Sequence, residues 1–541
     1  MRQTTLSVAL EVKPESYDHL SSLLDKLRAK RSTNPSGGEG PFADFLTRVP
    51  ALHFMSLSVF PGFDYDPLFV IEANFDGPAG PFWAQLESAI GPDLRAMLRC
   101  CKCPLDSDGP LFTSITGPDA RAPIAPYLER RSLKPTVFHH GNRGMTRDRI
   151  LAEHTLFEAT RVELRSANAD GPNPYRVLSP AQIHAKLRGT LLPDFAWLGQ
   201  PAPARIPLAE NIGDWVRLIV FIVAAVFVLS VPGLFLNLAM PWDRYLILLA
   251  VVFVGIALML KQIGGALPGT EVASRFSFIK LFLGQLIPLV LFVLGYLVVA
   301  VAIGTPLSML LTARNFDAAW HGMISWLLWG LASAPVTVAI IVLWLRVLER
   351  RDASQDAPLV DPKMLREMAR REDWIPQNHM GSLVSIKPGA LRMILIRAGH
   401  RGLGLVLRIQ ARSGYLGSMR TIHFAHWAMV NNKSRLMFFS NFDQTWESYL
   451  DDFIEKAHAG LTLAWCCGVG FPPTRFLVKD GASHGRQFKE WARHSMTVSR
   501  FWYSAYKDLT AEQIERNFRI AIGLRKPALS DKDAALWIND L

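Results

Sequence analysis

Val12-Lys13-Pro14 recurs as Ile386-Lys387-Pro388, and four further matches follow in the same order along the chain. Leu52-His53-Phe54 returns as Ile422-His423-Phe424, Asn74-Phe75-Asp76 as Asn441-Phe442-Asp443, and Cys100-Cys101 as Cys466-Cys467. Thr146, Asp148 and Ile150 return as Thr510, Glu512 and Ile514. The offset drifts only from 374 to 364. Ordered self-similarity of this kind marks repeated structural units, so any fold for the chain has to accommodate two related halves.

The hydrophobic pattern between the matches supports the same element order twice. In the first half Thr5 to Val12 alternates as a strand, Glu15 to Lys30 has helical periodicity, and 32–40 is a Ser/Gly/Pro loop. Strands Leu52 to Phe60 and Leu68 to Phe75 follow, joined through Pro61-Gly62, then a helix from Phe82 to Ile90 and a closing strand ending near Cys101. In the second half Leu383 to Ile386 is a strand and Ala390 to Ala411 a weakly helical link. His423 to Val430 and Arg435 to Phe442 form a hairpin around Asn431-Asn432, Trp446 to Ala459 is a helix, and Leu461 to Cys467 a closing strand. The order βαββαβ is the ferredoxin-like arrangement. An appendage follows: a helix near Arg486 to Arg493, an aromatic strand from Phe501 to Tyr506, and a helix that the Thr510 hydroxyl can cap, with Thr146 as its counterpart. The expected fold class is α+β, with two such units pairing sheet against sheet as a pseudo-dimeric α+β barrel.

Residues 215–348 separate the halves and are strongly apolar. Leu218 to Trp242, Tyr245 to Leu260, Leu281 to Ala313 and Gly322 to Leu345 carry no charge. Roughly 20 apolar residues span a bilayer core, so these runs predict a four-helix transmembrane block. Pro232, Gly233, Pro288 and Pro335 mark kinks, and the uncharged spans disfavour an ion or proton route. Arg205, Arg217, Lys261, Arg275, Lys280, Arg346, Arg350 and Arg351 flank the spans on one side, against Arg244 and Arg314 on the other. The positive-inside rule then predicts a multi-pass protein of the bacterial inner (cytoplasmic) membrane with both termini cytoplasmic. Five cysteines, mostly adjacent, suit a reduced compartment. The expected domains are 1–200 (first unit), 201–214 (linker), 215–348 (membrane block), 349–381 (linker), 382–526 (second unit) and 527–541 (tail). The net charge of +11 is spread over both halves and the membrane flanks, which points to the lipid bilayer and not to nucleic acid.

Among residues able to carry chemistry, His53 and His423 come first. On strands of period two, His53 shares a face with Met55, Leu57 and Val59, and His423 with Ala425, Trp427 and Met429. Either ring can ligate haem iron or another metal, act as acid or base, or be a core histidine bonded to a carbonyl. Asp76 and Asp443 end their strands, where each is a general acid or base or the cap of the following helix. His426, on the opposite strand face, is a weaker candidate; His139, His140 and His484 are expected at the surface. Adjacent cysteines on a closing strand point apart, so Cys100-Cys101 and Cys466-Cys467 read as buried, inert thiols. The aromatic run from Phe501 to Tyr506 reads as core and rim. The chain lacks a Walker loop, Gly-x-Gly-x-x-Gly, His-Glu-x-x-His and Gly-x-Ser-x-Gly, which removes the enzyme classes that depend on them.

His423 to Val430, Ser440-Asn441-Phe442-Asp443, Trp446 to Ile454 and Gly470-Phe471-Pro472 resemble an uncharacterised bacterial family of membrane-anchored proteins. The duplicated layout is also similar, at the level of fold, to the dye-decolorising peroxidases, haem enzymes built as dimeric α+β barrels. Their Gly-x-x-Asp-Gly signature corresponds here to Ala73-Asn74-Phe75-Asp76-Gly77, without its first glycine, and to Ser440-Asn441-Phe442-Asp443-Gln444. Two readings remain. In one, the barrel is a membrane-anchored module that binds a small apolar ligand or a soluble protein partner. In the other, it is a haem-dependent, peroxidase-like oxidoreductase acting on a lipophilic substrate, with His423 or His53 on the iron and Asp76 or Asp443 as the acid–base group.

Overall fold

A computed structural model describes residues 2–32, 48–62, 65–166, 173–239, 243–244, 246–248, 250–252, 254–255, 258, 309, 315–352, 361–373, 375–410, 419–506 and 508–541. The expected spans 245–260 and 281–313, with Pro288 and the basic residues between them, fall largely outside these, as does most of the 32–40 loop.

The first half runs β1 (Gln3–Glu11), α1 (Tyr17–Ser32), β2 (Leu52–Phe60), β3 (Leu68–Asp76) and α2 (Ala79–Arg99), then β4 (Ser132–Leu133), β5 (Val137–His140) and α3 (Arg147–Ser166). Two long apolar helices, α4 (Leu208–Ala239) and α5 (Phe316–Arg350), pack on each other. The second half runs β6 (Gln377–Ser385), α6 (Ala390–Gln410), β7 (Ile422–Val430), β8 (Arg435–Asp443) and α7 (Trp446–Trp465). It continues with a small hairpin, β9 (Thr474–Arg475) and β10 (Lys479–Asp480), then α8 (Gly485–Ser495), β11 (Ser499–Ser504) and α9 (Ala511–Arg525).

Two antiparallel sheets result, ordered β11-β2-β3-β1-β4 and β5-β7-β8-β6. Each takes an edge strand from the other half: β11 pairs with β2, and β5 with β7. This exchange ties residues more than 400 positions apart into one sheet, as Ser504 opposite Phe54 shows. Alternation sorts each strand into two faces. Phe69, Ile71, Ala73 and Phe75 of β3 join the core beneath α1 and α2, whereas Leu68 and Val70 meet Ala428, Val430, Met437 and Phe439 from the opposite sheet. Leu436, Phe438 and Phe442 of β8 face α7 in the same way.

The expected closing strands are helix. α2 continues to Arg99 and α7 to Trp465, each breaking helical geometry once, at Ile90 and Ala457. The cysteine pairs cap these helices, and Val12–Cys101 and Ile386–Gly468 are isolated bridges. A chain reversal that pattern reading takes for a new strand is thus a kinked helix. The link at Ala390–Gln410 is a full helix, α6. Thr510 caps α9, accepting from Gln513 N while the Gln513 side chain accepts from Thr510 N. Thr510→Val is expected to lower stability by about 1 kcal/mol, the usual worth of such a cap. An unchanged denaturation midpoint would count against that role.

The four-helix membrane block, and with it the multi-pass placement in the inner membrane, is corrected. Among the described residues one helix, over Leu208–Val231, is long and apolar enough to cross a membrane, with mean hydropathy 2.3. Both apolar helices are also tied to the rest of the chain through their carboxylates. Glu210 and Asp214 of α4 bind Arg143, and Glu349 of α5 accepts hydrogen bonds from Thr474, Phe476 and Leu477.

Candidate functional site

The register of β2 against β3 shifts between Leu52 and Phe54, and that of β7 against β8 between Ile422 and Phe424. His53 and His423 are therefore the bulged residues of related strands. A bulge breaks the two-residue period and re-aims a side chain. His53 joins its neighbour Phe54 in contact with Phe424 and Tyr506, so the ring turns between the sheets and away from the helix-side face that strict alternation predicts.

Each bulged histidine meets the aspartate that repeats with it. His423 Nε2 lies 2.8 Å from Asp443 Oδ1, and His53 Nε2 lies 3.1 Å from Asp76 Oδ1. The other carboxylate oxygen accepts from a helix N-terminus: Asp443 Oδ2 from Ala511 N at 2.8 Å, and Asp76 Oδ2 from Arg147 N at 2.8 Å. The aspartates do cap helices, but α9 and α3, about 70 residues downstream, and not the helices that follow them.

Haem does not suit these residues. A ligating imidazole needs an open approach to its nitrogen, yet both Nε2 atoms face aspartates. The ring of His423 packs on Phe54 and Tyr506 at 5.1 and 6.0 Å between centroids, and that of His53 on Phe424 at 5.4 Å. Among the described residues no group of three His, Cys, Asp or Glu side chains is placed to hold a metal ion. The four thiols of the repeated cysteine pairs are closed to chemistry as well, since burial raises each of them and pushes Cys467 up to about 12, while Cys103 is exposed.

Between the sheets lies a polar layer that sequence reading missed. Glu72 is fully buried on β3 and accepts hydrogen bonds from Asn74, from Ser56 at 3.1 Å and from Asn441 at 3.4 Å. Burial, only partly offset by those three donors, raises its carboxyl to about 7. His379 Nε2 stands 3.9 Å away, and burial lowers both His379 and His426 to about 3. Between those values Glu72 and His379 are both neutral, so their contact is not an ion pair. His139 and His140, expected at the surface, are buried on β5; desolvation lowers His139 to about 4 and His140 well below its ordinary value. The layer is asymmetric: where the second half has His426, Phe439 and His379, the repeat offsets place Ser56, Glu72 and Thr5 in the first.

From this layer a hydrogen-bonded path reaches a cavity. Thr5 Oγ1 donates to Asn74 Oδ1 at 2.8 Å and lies 3.0 Å from His140 Nε2, which must then be the protonated nitrogen. His140 and Gln3 line a cavity of about 670 Å³ at the seam between the halves. Its walls come from β1, β5, the first turns of α3, the segment before α4, Arg408 at the end of α6 and Arg525 at the end of α9. The corresponding seam, lined by Gln377, His379 and Trp502, holds a smaller cavity of about 330 Å³. Gln3 and Gln377 do the same work in both: each amide donates to two carbonyls of the loop before the helix that its repeat's aspartate caps, Asn142 and Met145 for Gln3, Tyr506 and Leu509 for Gln377.

The larger cavity is rich in arginine. Arg143 donates to Glu210 and Asp214 at 2.6 Å each, Arg408 Nε lies 3.0 Å from Asp214, and Arg205 grips Glu515 with two nitrogens. Phe138 lies under Arg408 and Trp197 under Arg525, at 5.3 and 4.6 Å. No family model, curated protein or solved structure matches this chain.

Proposed function

We propose that this chain is a binding protein whose two halves enclose a small molecule at one seam of the barrel. The observation that carries this reading is the 670 Å³ cavity, built by both halves together with the segment leading into α4. Its volume lies in the range of about 300–1,000 Å³ usual for small-molecule sites, and it combines apolar walls with convergent polar groups. A catalytic role finds no support in the repeated residues, since His53, His423, Asp76 and Asp443 are spent on one another and on helix ends. The strand order β2-β3-β1-β4, with β1 central, supports a ferredoxin-like reading of the first half.

Native mass spectrometry of the full chain, released from nonionic detergent, is expected to show a small-molecule adduct. Ala152 lines the cavity from α3, so the indole of an Ala152→Trp variant fills it. That variant is expected to lose the adduct while keeping its circular dichroism spectrum. An adduct retained in Ala152→Trp, or none in the wild-type chain and no binder from a fragment screen, overturns the reading.

A further inference from the structure

The cavity's charges decide what it can hold. Four of its arginines are answered by carboxylates: Arg143 and Arg408 by Glu210 and Asp214, Arg205 by Glu515, and Arg149 by Glu153 at 2.8 Å. Arg525 is not answered in this way among the described residues. Its Nη1 donates to the carbonyls of Trp197 and Gln200 at 3.0 Å each, and its Nε is buried with no hydrogen-bond partner. The Nη2 of Arg149 is likewise buried without an acceptor. Burial first, then the charge of Arg149, lowers Arg525 below its ordinary value, and the Glu153 carboxylate, which also lines the cavity with one oxygen buried and unpaired, offsets this only in part. A buried guanidinium nitrogen lacking an acceptor is costly, more so when charged, and an oxyanion reaching these nitrogens would supply the acceptor they lack. Beside them the wall is apolar, formed by Trp197, Ile206 and Phe138.

We propose that the cavity holds a small amphiphile with an oxyanion head, a carboxylate or a phosphate, seated on Arg149 and Arg525, with its apolar part along Trp197, Ile206 and Phe138. The proposal rests on the binding-protein reading and adds the class of ligand. A neutral apolar molecule would fill the walls and leave both guanidinium nitrogens unmet. A cationic one would add to an existing excess of positive charge.

Calorimetric titration of the full chain in nonionic detergent tests this with octanoate, octanol and octylammonium. Octanoate is expected to bind at least about tenfold tighter than octanol, and octylammonium not to bind. In Arg525→Met the preference for octanoate is expected to vanish while octanol binding stays, which separates loss of the head contact from loss of the fold. Equal binding of octanoate and octanol to the wild-type chain overturns the anionic head and leaves the binding-protein reading intact; failure of all three to bind overturns both. Competition identifies the source of the head. Displacement of octanoate by dihexanoyl phosphatidylglycerol assigns a lipid headgroup, and displacement by octyl phosphate alone assigns a free acid or phosphate ester.

Discussion

Lowering the pH from 7 to 5 is expected to remove roughly 4 kcal/mol of folding stability. Three histidines with depressed values, His139 at about 4 and His379 and His426 at about 3, are buried and neutral in the folded chain. In the unfolded chain each titrates near 6.5, so their contribution is fully present above that pH and is lost as the pH falls toward 4 and 3. At pH 5 the linkage amounts to about 2 kcal/mol per histidine, or roughly 6 for the three. His140 acts in the same direction. Glu72 acts in the opposite one. Its folded value, about 7, is raised above the ordinary 4.5, so its contribution is whole below 4.5 and is lost as the pH rises to 7. Going down from 7 to 5 regains roughly 2 kcal/mol of it.

The balance is a large fraction of the 5–15 kcal/mol that holds a typical domain together. Denaturant titration followed by tryptophan fluorescence at pH 7, 6 and 5 measures it; Trp502, stacked near His379 and bonded to Asn441, lies in the layer concerned. His426→Phe is expected to reduce the acid slope by about 1.4 kcal/mol per pH unit, one proton's worth. Glu72→Gln is expected to abolish the opposing trend between pH 5 and 7. A midpoint that rises from pH 7 to 5 would mean that these histidines are solvated or already charged in the folded chain, because the Glu72 contribution would then stand unopposed.

What the sequence could disclose follows from the range of each interaction. Repetition and period-two alternation are local signals, and they locate the strands, the hairpins and His53, His423, Asp76 and Asp443 as repeated residues, but not which histidine meets which aspartate. The bulges were not visible, because the register of one strand against another is set by both, and they turn the two histidines to the other face. Helix caps that reach about 70 residues onward are indistinguishable, in sequence, from caps of the nearest helix for the same reason. Glu72 did leave a trace: it is the one charged residue before the terminal Asp76 in an otherwise uncharged strand, at an inward position shared with Leu68 and Val70. The arginine cavity left none, since its walls come from at least six separate segments that only the exchange of β5 and β11 brings together.

The two His–Asp pairs look equivalent in sequence, and their surroundings make them unequal. His53 is hydrogen-bonded through Nδ1 to the Tyr506 hydroxyl at 2.9 Å, and its Nε2, 3.1 Å from Asp76, makes no hydrogen bond; His423 is bonded through Nε2 to Asp443, and its Nδ1 is buried without a partner. Asp443 is thus the sole hydrogen-bond partner of the His423 ring among the described residues, and it also holds the Ala511 N–H. Asp443→Ala is expected to leave a buried imidazole wholly unsatisfied, at about 1–3 kcal/mol, and to open the first turn of α9, at about 1 kcal/mol more, for a loss of roughly 3 kcal/mol. Asp76→Ala opens the first turn of α3 but leaves His53 bonded to Tyr506, so about 1–2 kcal/mol is expected. Because both imidazole rings pack on Tyr506, the double variant is expected to lose less than the sum of the two. Urea midpoints of the three variants at pH 7 test the ordering. Equal losses from Asp76→Ala and Asp443→Ala would show that Tyr506 does not support His53, and a strictly additive double variant would show that the two pairs act without reference to each other.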